Sequence, residues 1–130
     1  EESDEWCDAA DAAGVETVML AAPTASDDRL RRVASRARGF VYAVGLVGIT
    51  GERDSLAASA KVIAARAKEV TDLPVLVGVG VSTPQQAVEV CEVADGVVVG
   101  SAFVRRALET GSPEAVGELV GEFRQALERG

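Results

Sequence analysis

The 130-residue sequence contains no histidine, and that absence removes the most chemistry. Without an imidazole there is no Ser-His-Asp or Cys-His relay, and the commonest side-chain ligand of transition metals is missing. Cysteine is scarce. Cys7 and Cys91 stand 84 positions apart, which is neither a metal-binding spacing nor a redox pair. Both fall in helical patterns and read as small buried hydrophobes of a reducing compartment. Aromatics are 4% of the chain, with one Trp and one Tyr, so the core has to be aliphatic. Basic charge is also short: 13 Lys+Arg face 21 Asp+Glu, a formal net charge of −8. That balance excludes a basic nucleic-acid footprint. A local anion site made of backbone N–H groups stays open. No apolar run approaches the ~18 residues of a membrane helix. The opening Glu1-Glu2-Ser3-Asp4-Glu5 is opposite in charge to the start of a signal peptide. The expectation is a cytoplasmic protein with no metal, no membrane and no nucleic-acid partner.

What is present alternates between two textures. Thr17–Ala21, Phe40–Val44, Val75–Val81 and Gly96–Val99 are apolar on successive residues, the pattern of parallel strands buried between other elements. Helical patterns separate them. Ser3 is expected to cap a first helix with Trp6, Ala10 and Ala13 inward and Gly14 as its stop. Ser26 or Asp27 starts a second, with Leu30, Val33, Ala34 and Ala37 inward and Gly39 as its stop. A third carries the stripe Leu56, Ala60, Ile63, Ala67, Val70. Thr83-Pro84-Gln85-Gln86 is a capping box with proline at the first helical position, followed by Ala87, Val90, Cys91 and Ala94 on one face. A last helix starts at Ser112-Pro113 and turns Val116, Leu119, Val120, Phe123 and Leu127 to one side. The arginines at 29, 31, 32, 36 and 38 read as a solvated helix face. Strand starts are about 21 to 35 residues apart. Such βα units build either an open doubly wound sheet or a (β/α)-barrel. A whole barrel needs about 250 residues, and four strands are half of one. The chain opens directly on a helix, as if cut from something larger, and no linker divides residues 1–130.

Ligands in α/β folds bind at the C-terminal ends of the strands. Three such ends carry glycine turns: Gly48-Ile49-Thr50-Gly51, Gly78-Val79-Gly80-Val81-Ser82, and Gly100-Ser101-Ala102, which leads into a short helical stretch, Phe103–Leu108. Glycine lets the backbone approach closely, and several N–H groups together with a helix N-terminus hold a phosphate. Ser101 adds a hydroxyl. Tyr42, the only tyrosine, sits inside the second strand, either lining a pocket or filling the core. Glu52, Arg53 and Asp54 read as the start of a helix. No strand carries a carboxylate suited to be a general base.

These segments resemble the alpha chain of tryptophan synthase. The residues that carry the likeness are Gly39-Phe40-Val41-Tyr42, Gly48-Ile49-Thr50-Gly51, Val77 to Gln86, and Asp95-Gly96-Val97-Val98-Val99-Gly100-Ser101-Ala102. Glu1-Glu2-Ser3, Leu20-Ala21-Ala22-Pro23-Thr24 and Asp27-Asp28-Arg29-Leu30 also fit. The likeness covers nearly the whole chain but only the C-terminal half of that family's (β/α)8 TIM barrel. It implies an aldol-type lyase of tryptophan biosynthesis that splits indole-3-glycerol phosphate into indole and glyceraldehyde 3-phosphate. It further implies a beta-chain partner carrying pyridoxal phosphate, with no cofactor on this chain. By position, Gly51, Gly80, Gly100 and Ser101 would hold the phosphate. Tyr42 would line the indole pocket beside Leu20, Val79 and Val98, and Thr50 would belong to the closing loop. The family's catalytic Glu and Asp lie in the half this chain lacks, so no catalytic residue is assigned here. Leu46 and Val47 replace the polar stretch usual in that loop.

Two other readings compete. One is a different phosphate-binding barrel enzyme. The other is a non-catalytic half-barrel that self-associates through its open sheet edges.

Overall fold

A computed structural model describes residues 2–45, 53–78 and 80–129. Six helices and four strands follow one another as α1 (Glu2–Ala12), β1 (Met19–Ala21), α2 (Asp27–Arg36), β2 (Val41–Val44), α3 (Arg53–Lys68), β3 (Val75–Gly78), α4 (Pro84–Cys91), β4 (Gly96–Val97), α5 (Ser101–Thr110) and α6 (Pro113–Arg129). The strands form one parallel sheet in the order β1-β2-β3-β4. That order decides between the two architectures the spacing allowed. A doubly wound sheet reverses direction at a switch point, whereas a barrel adds each strand beside the last.

Register sorts the side chains into two faces. The rows Met19–Val41–Val75 and Ala21–Ala43–Val77–Val97 meet the helices. There Ala21, Val41, Ala43, Val75 and Val77 are buried, with Leu30 of α2, Ala60, Ile63, Ala64 and Ala67 of α3, and Ala87 and Val90 of α4 packed on them. Alanines on both layers let β-branched strand residues and helix backbones approach closely. Among the described residues the alternate row, Leu20–Tyr42–Leu76–Gly96, has no helix over it, and Leu20 is 63% exposed. One covered face and one bare apolar face is what half of a closed barrel presents.

The third and fourth helices follow the expected stripes. Thr83 accepts from the Gln86 N–H while the Gln86 side chain accepts from the Thr83 N–H, the anticipated capping box. Ser26 caps α2 by accepting from Arg29 N–H. Three expectations are corrected. Ser3 lies inside α1 and does not cap it. The inward residue of α1 is Cys7; Trp6 is 61% exposed and Ala13 is also exposed. The face of α1 that packs inward carries Cys7 between Asp4, Asp8 and Asp11; Arg36 donates to Asp4 and Asp8, and Arg38 pairs with Asp11, while Trp6 lies on another face. Val120 is exposed too, because Leu119 and Phe123 supply the buried stripe of α6. β1 and β2 end where their apolar runs do but begin later, at Met19 and Val41, while β3 and β4 end earlier than theirs: Val81 is buried beyond β3, and Val98 continues past β4 with its N–H donated to Val77 C=O at 2.7 Å. Leu56 has a side chain outside the described residues.

Candidate functional site

The C-terminal strand tips carry the candidate site. β2 leads toward the turn holding Thr50 and Gly51, and both lie outside the described residues, as do Leu46, Val47 and Val79. The tips of β1, β3 and β4 are described.

Tyr42 comes from the bare face of β2, half-buried. Its ring lies across the neighbouring strand, onto Gly78. A Cβ built at Gly78 would overlap the Tyr42 hydroxyl and Cζ and stand 3.0 Å from Cε1. The glycine at the end of β3 is therefore a seat for the tyrosine. The sequence marked Gly78 only as part of a turn, because the pairing of the sole tyrosine with a glycine of the next strand becomes visible only once the register is known. Leu20 is the register partner of Tyr42 on one side and Leu76 on the other. Val98, two residues beyond Gly96 and 38% exposed, extends the same row. Leu20, Tyr42 and Val98 thus share one apolar wall.

Polar capacity gathers at the adjacent tip. Gly80 turns the chain beyond β3 with φ +87°, a conformation that disfavours any side chain. The helix α5 begins at Ser101 behind Gly100, and no side chain caps it. The contrast with other helices is chemical. Ser26, Thr83 and Ser112 oxygens accept from the first turns of α2, α4 and α6, while Gly100 has no oxygen to offer. The Gly100 carbonyl accepts from Phe103 and Val104, so the N–H groups at Ser101 and Ala102 precede the helix's own ladder. Gly100 has φ −121°, not the positive value that glycine often supplies, and a Cβ there would meet nothing within 4 Å. The protein's own packing does not require that glycine. Open donors at a helix N-terminus, with space in front of them, suit an anion.

The segments that follow the two turns meet: Ser82 and Thr83 line one cleft together with Ala102, Arg105, Arg106, Glu109 and Leu119. Phe103 of α5 stacks edge-on against Phe123 of α6, with centroids 5.4 Å apart at 77°, and this fixes the direction of α5. On the β1 side, Arg66 of α3 donates to the carbonyls of Pro23 and Ala25 and to Asp27, tying down the loop after β1. Nothing in the spacing of the sequence marks that long-range tie.

Among the described residues no strand carries an Asp or Glu. Among the described residues the carboxylate held below its usual value is Asp95. It accepts from the Val75 N–H at 2.8 Å and from Lys68 at 2.9 Å, at the N-terminal end of the sheet, away from the strand tips. Burial, with a contribution from Asp95, pushes the Cys91 thiol up, so it is no nucleophile. Both cysteines are free. Among the described residues no cluster of three metal-ligating side chains occurs, and no helix is long and apolar enough to cross a membrane.

Comparison with known proteins agrees with this geometry. The family model of the tryptophan synthase alpha chain matches residues 1–128. The tryptophan synthase alpha chain of Thermobifida fusca is 41% identical over all of this chain and 49% of its own length. That of Streptomyces avermitilis is 43% identical, again over all of this chain and 48% of its own. Among solved structures, Mycobacterium tuberculosis tryptophan synthase superposes with a TM-score of 0.82 at 34% identity, covering 97% of this chain and 47% of that one. The alpha subunit from Legionella pneumophila gives 0.79 at 30%, covering 98% and 48%. The chain spans about half the length of the curated relatives it matches. A parallel half-barrel, matched by family, sequence and structure alike, places this chain in the tryptophan synthase alpha chain family.

Proposed function

We propose that this chain supplies the phosphate-holding and indole-lining half of an enzyme that cleaves indole-3-glycerol phosphate to indole and glyceraldehyde 3-phosphate. The observation that carries the proposal is the uncapped N-terminus of α5, whose Ala102 lines a cleft with Ser82 and Thr83, the residues that follow the Gly80 turn. The N–H groups around Gly100, the Ser101 hydroxyl and the Gly80 turn hold the phosphate, and Gly51 joins them from the turn after β2. The indole lies along Leu20, Tyr42, Val79 and Val98, with Thr50 in the closing loop. The cleavage breaks a carbon–carbon bond and needs proton transfers at the indole ring and the glycerol hydroxyl. No strand carboxylate of this chain can perform them. Removing such general acid–base help costs about 10²–10⁴-fold, so the chain alone is expected to be nearly inactive. The indole passes to a beta chain whose pyridoxal phosphate this chain does not hold. The setting is cytoplasmic tryptophan biosynthesis.

The test combines this chain with the half of the Thermobifida fusca alpha chain that it does not match, and measures indole release from indole-3-glycerol phosphate. Release is expected only from the mixture. Release by this chain alone, or none from a mixture shown to form a complex, contradicts the proposal.

A further inference from the structure

We propose that Arg105 and Arg106, in the second turn of α5, are charge-steering residues that draw a phosphate dianion onto the start of that helix. Their role rests on the phosphate reading above and adds the two side chains that set the charge of the site. The order of charges along α5 is what singles them out. A helix is stabilised by carboxylates in its first turn and cations in its last. α2 follows that order, with Asp27 and Asp28 at its start and Arg36 at its end, and so does α6, with Glu114 and Arg129. α5 reverses it. Its first turn holds no acid and its last turn no base; the arginines come first and Glu109 stands near the end. No side-chain oxygen caps the helix either. Nothing negative from α5 itself faces its positive end, so the dipole and the two guanidiniums add rather than cancel. That arrangement is unfavourable for the empty helix and favourable once an anion arrives from outside.

Neither guanidinium is engaged within the protein. Among the described residues Arg36, Arg66 and Arg124 pair with carboxylates. Arg105 and Arg106 pair with none, although Glu109 lines the same cleft one turn further on. Positions 102, 105, 106 and 109 share one helix face. Long side chains on a helix lean back over the preceding turn, which for these two arginines is the turn of Ser101 and Ala102. The chain as a whole carries −8 and repels a dianion at long range. Two cations against one carboxylate reverse that sign at the cleft where Ala102 meets Ser82 and Thr83. Arg105 is exposed and Arg106 half-buried, so the fold does not depend on their charge.

The experiment titrates the isotope-labelled chain with inorganic phosphate and follows the amides of Gly80, Gly100, Ser101 and Ala102. It is run in salt of about 0.1 M and about 1 M, where charges act over roughly 10 Å and roughly 3 Å. Arg105→Gln combined with Arg106→Gln should weaken binding on the order of 10-fold at the lower salt and by less than about 2-fold at the higher. Arg105→Lys combined with Arg106→Lys should bind like the unsubstituted chain, because a field needs the charge and not the planar fork. Arg129→Gln removes the same charge at the far end of α6 and should change nothing. Far-ultraviolet circular dichroism shows that each variant keeps its helices. An unchanged affinity for the Arg105→Gln/Arg106→Gln chain at the lower salt overturns the inference and leaves the phosphate reading standing. So does an equal loss at both salts, or a loss in the Arg105→Lys/Arg106→Lys chain as large as with glutamine. No saturable shift in the unsubstituted chain at either salt refutes the phosphate reading and the steering role together.

Discussion

Replacing Gly78 with alanine tests how the pocket wall is built. The new methyl would fall within the end of the Tyr42 ring, so one of the two side chains must move. Overpacking of this kind costs about 1–3 kcal/mol. Tyr42 is half-buried on a bare face, so it can swing outward, and the lower part of that range is expected. The backbone at Gly78 is not left-handed, so alanine is otherwise tolerated there. In a Tyr42→Ala background the same change should cost nearly nothing, or stabilise by a few tenths of a kcal/mol through the unfolded state. The coupling between the two sites is then about 1–2 kcal/mol in a double-mutant cycle from urea unfolding. Because Tyr42 is the only tyrosine, its ring resonances report the displacement directly. Equal costs of Gly78→Ala with and without the Tyr42 ring would refute the seat.

Ser101→Glu sets a carboxylate at the open start of α5; it should stabilise the chain by about 0.3–1 kcal/mol yet abolish inorganic phosphate binding, as read by urea melts and nuclear magnetic resonance titration. Asp95 is held below its ordinary value of 3.8 by the Val75 N–H first and Lys68 second. Its contribution is present above that value and lost as the pH falls through the lower folded one. Asp95→Ala should cost about 1–2 kcal/mol at pH 7 and flatten the acid limb of the stability profile, measured by urea midpoints from pH 7 to pH 2. Cys7 is buried, whereas Cys91 is only half-buried with its thiol pushed up, so iodoacetamide at pH 7.5 should label Cys7 far more slowly in the folded chain than in urea; equal rates at Cys7 by mass spectrometry would contradict its burial.

Much of the scaffold is written locally. The capping box at Thr83 and Gln86, the Ser26 cap and the stripe Ala60–Ile63–Ala67 each arise from residues within a few positions of one another, and each appears where the pattern puts it. What the pattern misses is set by partners far along the chain. Trp6 reads as inward, whereas the structure buries Cys7 and sets Asp4, Asp8 and Asp11 against Arg36 and Arg38, contacts with residues some 27 to 32 positions away. The apolar runs suggest strands buried on both faces, but among the described residues register leaves Leu20 bare. At the site, the glycine turns and Tyr42 are legible as residue types. Their chemistry is not: Gly78 serves a ring, Gly80 a left-handed turn, and Gly100 the absence of a cap, three different uses of one residue.

The most direct test of the account is a titration of the isotope-labelled chain with glycerol 3-phosphate, followed through its backbone amides. The account predicts saturable shifts concentrated at Gly80, Gly100, Ser101 and Ala102, lost in Ser101→Glu. Shifts centred instead on the arginines of α2, or no saturable shift at those four amides, would contradict it.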